Sequence, residues 1–327
     1  MVGFDPHEKI HLSSTAHALA GAVSGAASRA LTQPLDVIKI RFQLQVEPLN
    51  NTPQSKYKGL VQAFQCIIKE EGTAALWKGH IPAQILSVVY GVAQYSSFEI
   101  LTKGIWQYLP EALTTTYRPI THTVCGGISG SLATAFIFPI DVIRTRFVAQ
   151  GEPKLYISLT HAVTSIMRKE GIGGFYRGLI PSLIQIGPQM GFQFGFYSLF
   201  TGLWNKSLGI LPTRQADSLL FSESLEAIVC GSGSGALSKL MIYPLDVVKK
   251  RLQVQGFEEA RKFFGVVRNY NGLIHCVILS IQEEGIRSLF KGLYPSLLKA
   301  ALVSGINFCV YENVCRLLVL YNAKIDR

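Results

Sequence analysis

Six long, mostly apolar stretches alternate with polar segments along the chain, near residues 14–45, 79–108, 119–149, 178–207, 222–254 and 292–320. Each reads as a helix. At 1.5 Å per residue even the shorter ones reach about 43 Å, enough to cross a bilayer with tilt. None holds 20 clean apolar residues, because polar groups interrupt every one. That pattern suits helices lining an aqueous cavity rather than isolated lipid anchors. Between the first and second helix of each pair lie a polar loop and a short amphipathic helix, such as "YKGLVQAFQCIIKEEG" from Tyr57.

The pattern is threefold. "PLDVIKIR" from Pro34, "PIDVIRTR" from Pro139 and "PLDVVKKR" from Pro244 recur 105 residues apart. "EGTAALWKG" from Glu71, "EGIGGFYRG" from Glu170 and "EGIRSLFKG" from Glu284 follow them in turn. A glycine pair spaced as GxxxG begins thirteen residues before each proline, at Gly21 and Gly25, Gly126 and Gly130, Gly231 and Gly235. The pairs suggest close helix packing. The fold expected is all-α, with six transmembrane helices in three repeats (12–110, 117–208 and 222–322) and three short helices beside the membrane.

Composition agrees with a membrane location. Of 327 residues 48% are hydrophobic and only 16% charged, with 30 glycines and a mean hydropathy of +0.27. Both are unusual for a soluble protein of this size. The net charge of +10 does not form one basic stripe, so nucleic acid is not the expected partner. The three intra-repeat loops hold 20 of the 31 Lys and Arg residues, and the termini with the inter-repeat loops hold 8. The positive-inside rule puts the long loops on the cytoplasm-equivalent side, and an even number of helices puts both termini on the other. The N-terminal segment has neither the apolar core of a signal peptide nor the basic character of a transit peptide.

Pro34, Pro139 and Pro244 each remove a backbone donor from a helix and serve as expected hinges. In each motif an acid and a base follow the proline three residues apart, on one helix face. In a threefold ring the acid of one repeat meets the base of the next. The expected pairs are Asp36 with Arg144, Asp141 with Lys249, and Asp246 with Lys39. One hydrated pair is worth about 0–1 kcal/mol, so three form a latch that ligand binding can open. A static brace is the plainer alternative; the triple recurrence favours the latch.

The motif P-x-[DE]-x-x-[KR]-x-[KR] with its [DE]-G-x(4)-[FWY]-[KR]-G partner, in three copies, resembles the signature of the mitochondrial carrier family over essentially the whole chain. The resemblance implies an inner-membrane solute carrier with pseudo-threefold symmetry and a matrix-facing cation-rich side; catalysis is not expected, because no nucleophile, base and orienter can be assembled from neighbouring polar groups. It implies that Gln43 and Gln253 brace the latch, whereas repeat 2 has Val148 there. It also implies a second gate on the even helices. Here "FEILT", "YSLFT" and "YENVC" keep only Glu99 and Glu312 of its charges, so that gate is expected to be weak. Lys78–Gly79, Arg177–Gly178 and Lys291–Gly292 become the expected cardiolipin contacts.

Charges within apolar helices are costly and point to function. Arg29 and Lys239 stand five residues before their prolines, where repeat 2 has Thr134. The family's midplane contact points fall on Leu86, Gln185, Ile186 and Lys299. Three cations with no acid at their level suit an anionic substrate such as a polyphosphate. Gln84, Gln185 and Gln193 offer hydrogen bonds to a heterocycle, and Tyr90 a stacking face. Snorkelling to the interface is the alternative, an uncomfortable one for Arg29.

Four stretches, "DVIKIRFQLQ", "WKGHIPAQILS", "QGEPKLY" and "RLQVQGFEEARKFFGVVRNYNGL", resemble family members that move thiamine pyrophosphate (thiamine diphosphate). They imply matrix uptake of that vitamin in exchange for nucleotides. Another phosphorylated anion, such as a nucleotide or coenzyme A, is the alternative. A monomer among inner-membrane lipids is expected, without cofactor or metal. "HEKIH" from His7 matches a zinc-protease motif by chance, at a chain end with no third ligand.

Overall fold

The computed structural model describes residues 14–49, 55–108, 118–208, 216–264 and 268–325; the His7 motif and the chain ends lie outside them. Among these residues nine helices form: α1 (Ser14–Leu44), α2 (Leu60–Glu71), α3 (His80–Tyr108), α4 (Arg118–Ala149), α5 (Leu159–Glu170), α6 (Leu179–Leu208), α7 (Ala216–Gln253), α8 (Leu273–Glu284) and α9 (Leu293–Ile325). No strand occurs among the described residues. Helix α7 starts six residues earlier than expected and α9 runs five further, since neither glycine nor proline interrupts the chain there.

The six long helices pack side by side in a closed ring, in the order α1, α3, α4, α6, α7, α9 and back to α1. Two of them are apolar enough on composition alone to cross a membrane: Val124–Ala149, at mean hydropathy 1.5, and a span over Ile286–Leu318, at 1.4.

The three prolines lie inside α1, α4 and α7, which continue past them; α6 carries a further one, Pro188. Pro34 leaves the Ala30 carbonyl without its helical donor. The Trp77 indole N–H supplies one at 3.0 Å. The first motif is thereby joined to the second.

Each short helix stops at the glycine of its Glu-Gly pair. Gly72, Gly171 and Gly285 take φ of +84°, +67° and +80°, where a side chain is strained. A one-turn 3-10 segment then leads to the aromatic-basic-Gly triplet. Its glycine is pressed against the following repeat. A Cβ on Gly79 would lie 3.1 Å from the Arg144 carbonyl, one on Gly178 3.0 Å from that of Lys249, and one on Gly292 2.8 Å from that of Lys39.

A ring of arginines closes this end. Arg41, Arg146 and Arg251 are the last bases of the three motifs. Each donates its Nε–H to the backbone of the neighbouring repeat, at Val148 (3.2 Å), Gln253 (3.1 Å) and Gln43 (3.1 Å). Each also grips the glutamate that ends its own short helix: Glu71, Glu170 and Glu284. Burial pushes the Glu71 carboxyl up, but Arg41 and Lys78 outweigh it and hold the group below the ordinary carboxylate range. The loop after α7, longer than its counterparts, folds across this end: the Arg261 guanidinium bonds the Leu44 carbonyl at 2.8 Å, and Phe257 stacks on Tyr156.

The glycine pairs do not pack as expected. A methyl at Gly21, Gly25, Gly126, Gly231 or Gly235 would meet nothing within 4 Å; only Gly130 has neighbours, Ile186 and the Tyr90 hydroxyl. The other pair glycines face away from the neighbouring helices, which do meet at this level: a Cβ on Gly233, between Gly231 and Gly235, would lie 3.0 Å from the Phe200 ring.

Breaking a buried ion pair costs about 3–5 kcal/mol because one charge is left alone. Glu71→Gln is therefore expected to lower the thermal midpoint of the purified protein by several degrees at pH 7. Since the native carboxyl is held low, this contribution is present above about pH 4.3 and fades as pH falls below it. The variant and wild type should converge in acid, which thermal scans from pH 7 to pH 3 will read.

Candidate functional site

Just above the arginine ring, three aspartates on α1, α4 and α7 meet cations from neighbouring repeats. Asp36 receives Arg144 at 2.7 Å, Asp141 receives Lys249 at 2.9 Å, and Asp246 receives Lys39 at 3.5 Å. All six groups are largely buried, with side chains 8–19% exposed. Lys39 also lies over the Tyr243 ring and Lys249 over that of Phe138. Those aromatics precede Pro244 and Pro139, so the proline motif sets both the acid and the face beside its partner.

Each aspartate carries a second cation. Lys299 of α9 reaches Asp36 at 2.6 Å, on the same oxygen as Arg144. Lys239, two helical turns before Asp246, reaches it at 2.9 Å. The amide of Gln185 on α6 donates to the other Asp246 oxygen at 2.8 Å. Three groups expected to face substrate thus touch the acid ring. The expectation of cations with no acid at their level is corrected on this point: lysine side chains are long enough to span to the carboxylates below.

The remaining expected contacts surround the same space. Arg29 is half-buried and donates to the Ala83 carbonyl at 3.0 Å. Gln84 donates to the Ala26 carbonyl at 3.3 Å. Leu86, Ile186 and Tyr90 are half-buried, and the Tyr90 hydroxyl and Ile186 both approach Gly130. The cations therefore come from α1, α7 and α9, while the α3–α4 side offers an aromatic and neutral wall. Gln193 is exposed.

The two glutamines differ. Gln253 donates to Asp141 at 2.8 Å and accepts from Lys250 and Thr145, each at 2.8 Å. Gln43 instead donates to the Tyr243 hydroxyl at 3.1 Å, and its own Oε1 is buried without a partner. The expectation of two equal braces is corrected. Only Gln253 touches its aspartate; the tyrosine before Pro244 takes up the Gln43 amide.

The triplet side chains also differ from expectation. Lys78 and Lys291 turn inward to Glu71 and Glu284, both at 2.6 Å, and each is 8% exposed. Lys291 also donates to the carbonyls of Gln45, Val46 and Glu47. Arg177 reaches Glu170 at 3.3 Å and is 37% exposed. The two lysine ammonium groups are thus committed to the protein, because the buried glutamates need them. At the opposite end Glu99 and Glu312 bond within their own helices, to Lys103 and Arg316. A contact between helices there is His17 with the Tyr311 hydroxyl, at 2.9 Å. The helix ring is closed at the aspartates in this structure.

Sequence reading assigned no partner to the last motif arginines, to Glu71, Glu170 and Glu284, or to Lys250. Their recurrence at fixed offsets was a usable signal for the first two sets. Lys250 carries none, since Ile40 and Thr145 occupy its place in the other repeats. Among the described residues no group of three or more His, Cys, Asp or Glu is placed to hold a metal.

A threefold ring of helices closed at one end by paired charges defines a membrane solute carrier. The family model described as Mitochondrial carrier protein matches residues 10–109, 115–208 and 222–322, and the chain belongs to that family of mitochondrial transporters. It is similar to the mitochondrial thiamine pyrophosphate carrier of Homo sapiens, at 48% identity covering 96% of each chain. It is also similar to mitochondrial thiamine pyrophosphate carrier 1 of Aspergillus terreus, at 38% identity over 92% of this chain and 91% of the relative. Mitochondrial thiamine diphosphate carrier 1 of Zea mays is 36% identical over 90% and 92%.

A hydrogen bond to a charged group is worth about 1.5–3 kcal/mol. Gln253→Ala should therefore lower the thermal midpoint of substrate-free protein clearly more than Gln43→Ala does. Equal losses in a side-by-side melt would mean that the two glutamines serve alike.

Proposed function

We propose that the protein carries thiamine pyrophosphate across the mitochondrial inner membrane, alternating one central site between the matrix and the intermembrane space. All six long helices span the bilayer, with both termini on the intermembrane-space side and the arginine ring facing the matrix. Nucleotides serve as counter-substrate, and the carrier works as a monomer. Cardiolipin phosphates sit at the backbone N–H groups opening α3, α6 and α9, beside Gly79, Gly178 and Gly292, since the lysine heads there are engaged.

The observation that carries this reading is the sharing of Lys299 and Lys239 between the cavity and the gate aspartates. Carboxylate and phosphate oxygens compete for the same ammonium protons. With the site empty, Asp36 and Asp246 hold both lysines. An arriving diphosphate takes them over, and each aspartate keeps only its neighbour-repeat base. At an effective dielectric of 20, a pair at 4 Å is worth about 4 kcal/mol before desolvation, so losing one of two cations weakens a joint substantially. The prolines inside α1, α4 and α7 are the hinges about which the helix ends then part. Arg29 adds a further positive charge, and Gln84 with the Tyr90 wall receives the aminopyrimidine. The relatives named above support the choice of vitamin.

Purified protein in liposomes loaded with ADP or thiamine pyrophosphate should take up labelled thiamine pyrophosphate. Lys299→Ala and Lys239→Ala should each raise the KM about 10–100-fold, the equivalent of one charge-assisted contact. Uptake of ADP or coenzyme A with no thiamine pyrophosphate flux would assign the protein to another phosphorylated anion.

A further inference from the structure

The three gate aspartates are not equivalent. Asp36 and Asp246 draw their second cation from the cavity, through Lys299 and Lys239. Asp141 has neither source: the position seven residues before it is Thr134, and Leu86 on α3 stands where α9 has Lys299. Its second cation is Lys250, which stands on the far side of the ring from the substrate space. The Lys250 ammonium lies 3.1 and 3.3 Å from the two Asp141 oxygens. It also donates to the Thr145 hydroxyl at 2.9 Å and to the Gln253 carbonyl oxygen at 2.8 Å. Gln253 and Thr145 are fully buried, Asp141 is 7% exposed, and the Lys250 side chain is 12% exposed. Lys249 completes the shell around the carboxylate. The equivalents of Lys250 in the other repeats, Ile40 and Thr145, bring no charge.

From this geometry we propose that Lys250 is a positioning residue that holds the joint between repeats 2 and 3 shut independently of substrate. The carrier therefore begins to open toward the matrix at the other two joints. The inference rests on the carrier reading above, but not on which anion is carried. A diphosphate in the cavity can draw off Lys299 and Lys239. It cannot reach Lys250, whose protons are all engaged by Asp141, Thr145 and Gln253. The ring thus contains two joints that substrate loosens directly and one, between repeats 2 and 3, that parts last. That third joint restrains the empty carrier from opening.

The test is efflux of preloaded label from liposomes with no counter-substrate outside, run in parallel with thiamine pyrophosphate and ADP. Lys250→Ile places in repeat 3 the residue that repeat 1 has. It is expected to raise this unpaired efflux at least about fivefold over wild type, with the KM for exchange changed less than about twofold. Lys250→Arg should restore tight coupling. Lys250→Gln, which keeps a donor but loses the charge, should behave like the isoleucine variant and serves if that one does not assemble. Thr134→Lys combined with Lys250→Ile returns a second cation from the cavity side and should suppress efflux until substrate is added. Unpaired efflux at the wild-type level in the isoleucine or glutamine variant overturns the proposal. So does a KM rise matching that of Lys299→Ala, which would make Lys250 a substrate contact. Wild type moving ADP alone would overturn only the choice of vitamin, leaving the Lys250 comparison to be read with ADP.

Discussion

A carboxylate buried between helices is tolerable only with cations and donors around it. Three such carboxylates, Asp36, Asp141 and Asp246, stand at the closed end of this carrier, and the surrounding architecture follows from their needs. Their partners come from other repeats, so the helices must form a ring. The ring must stay in register, which the arginine contacts to Val148, Gln253 and Gln43 enforce one turn further along. Those arginines are buried charges themselves and need Glu71, Glu170 and Glu284. Those glutamates in turn draw in Lys78, Arg177 and Lys291. The two repeated motifs are therefore consecutive layers of one electrostatic network.

The proposed opening rests on the different ways in which the two layers close. The arginine layer binds backbone carbonyls as well as carboxylates, and nothing in the cavity competes for it. The aspartate layer is held by side chains alone, two of which reach back into the cavity. In the proposed mechanism binding energy enters the gate at those two points, and no long-range coupling is required. In the same proposal the neutral α3–α4 wall gives the cavity a polarity, with phosphate directed toward α1, α7 and α9 and the organic ring toward Tyr90.

Much of this was legible from the chain, for a definite reason. Threefold repetition turns spacing into geometry, so the partners of Asp36, Asp141 and Asp246 follow across repeats from spacing alone. The long helices were equally clear, with only the ends of α7 and α9 misjudged. Side-chain reach was harder to read. Lys239 and Lys299 sit at cavity level in the sequence, yet their four-carbon stems carry the charge down to the gate. Gln43 and Gln253 occupy one register position but differ in behaviour because Tyr243 is available to the first. Symmetry hid Lys250, since only a departure from the repeat places a charge there. The glycine pairs misled for the opposite reason: a spacing suited to close packing does not require that those glycines face the neighbouring helix.

The central claim is that gate carboxylates and substrate phosphates compete for Lys239 and Lys299. It is tested most directly by measuring thiamine pyrophosphate affinity, by calorimetry on purified protein, in wild type and in Asp36→Asn and Asp246→Asn. Removing the internal competitor should tighten binding about tenfold, or about 1.4 kcal/mol. Binding that is unchanged or weaker in both variants would contradict the account.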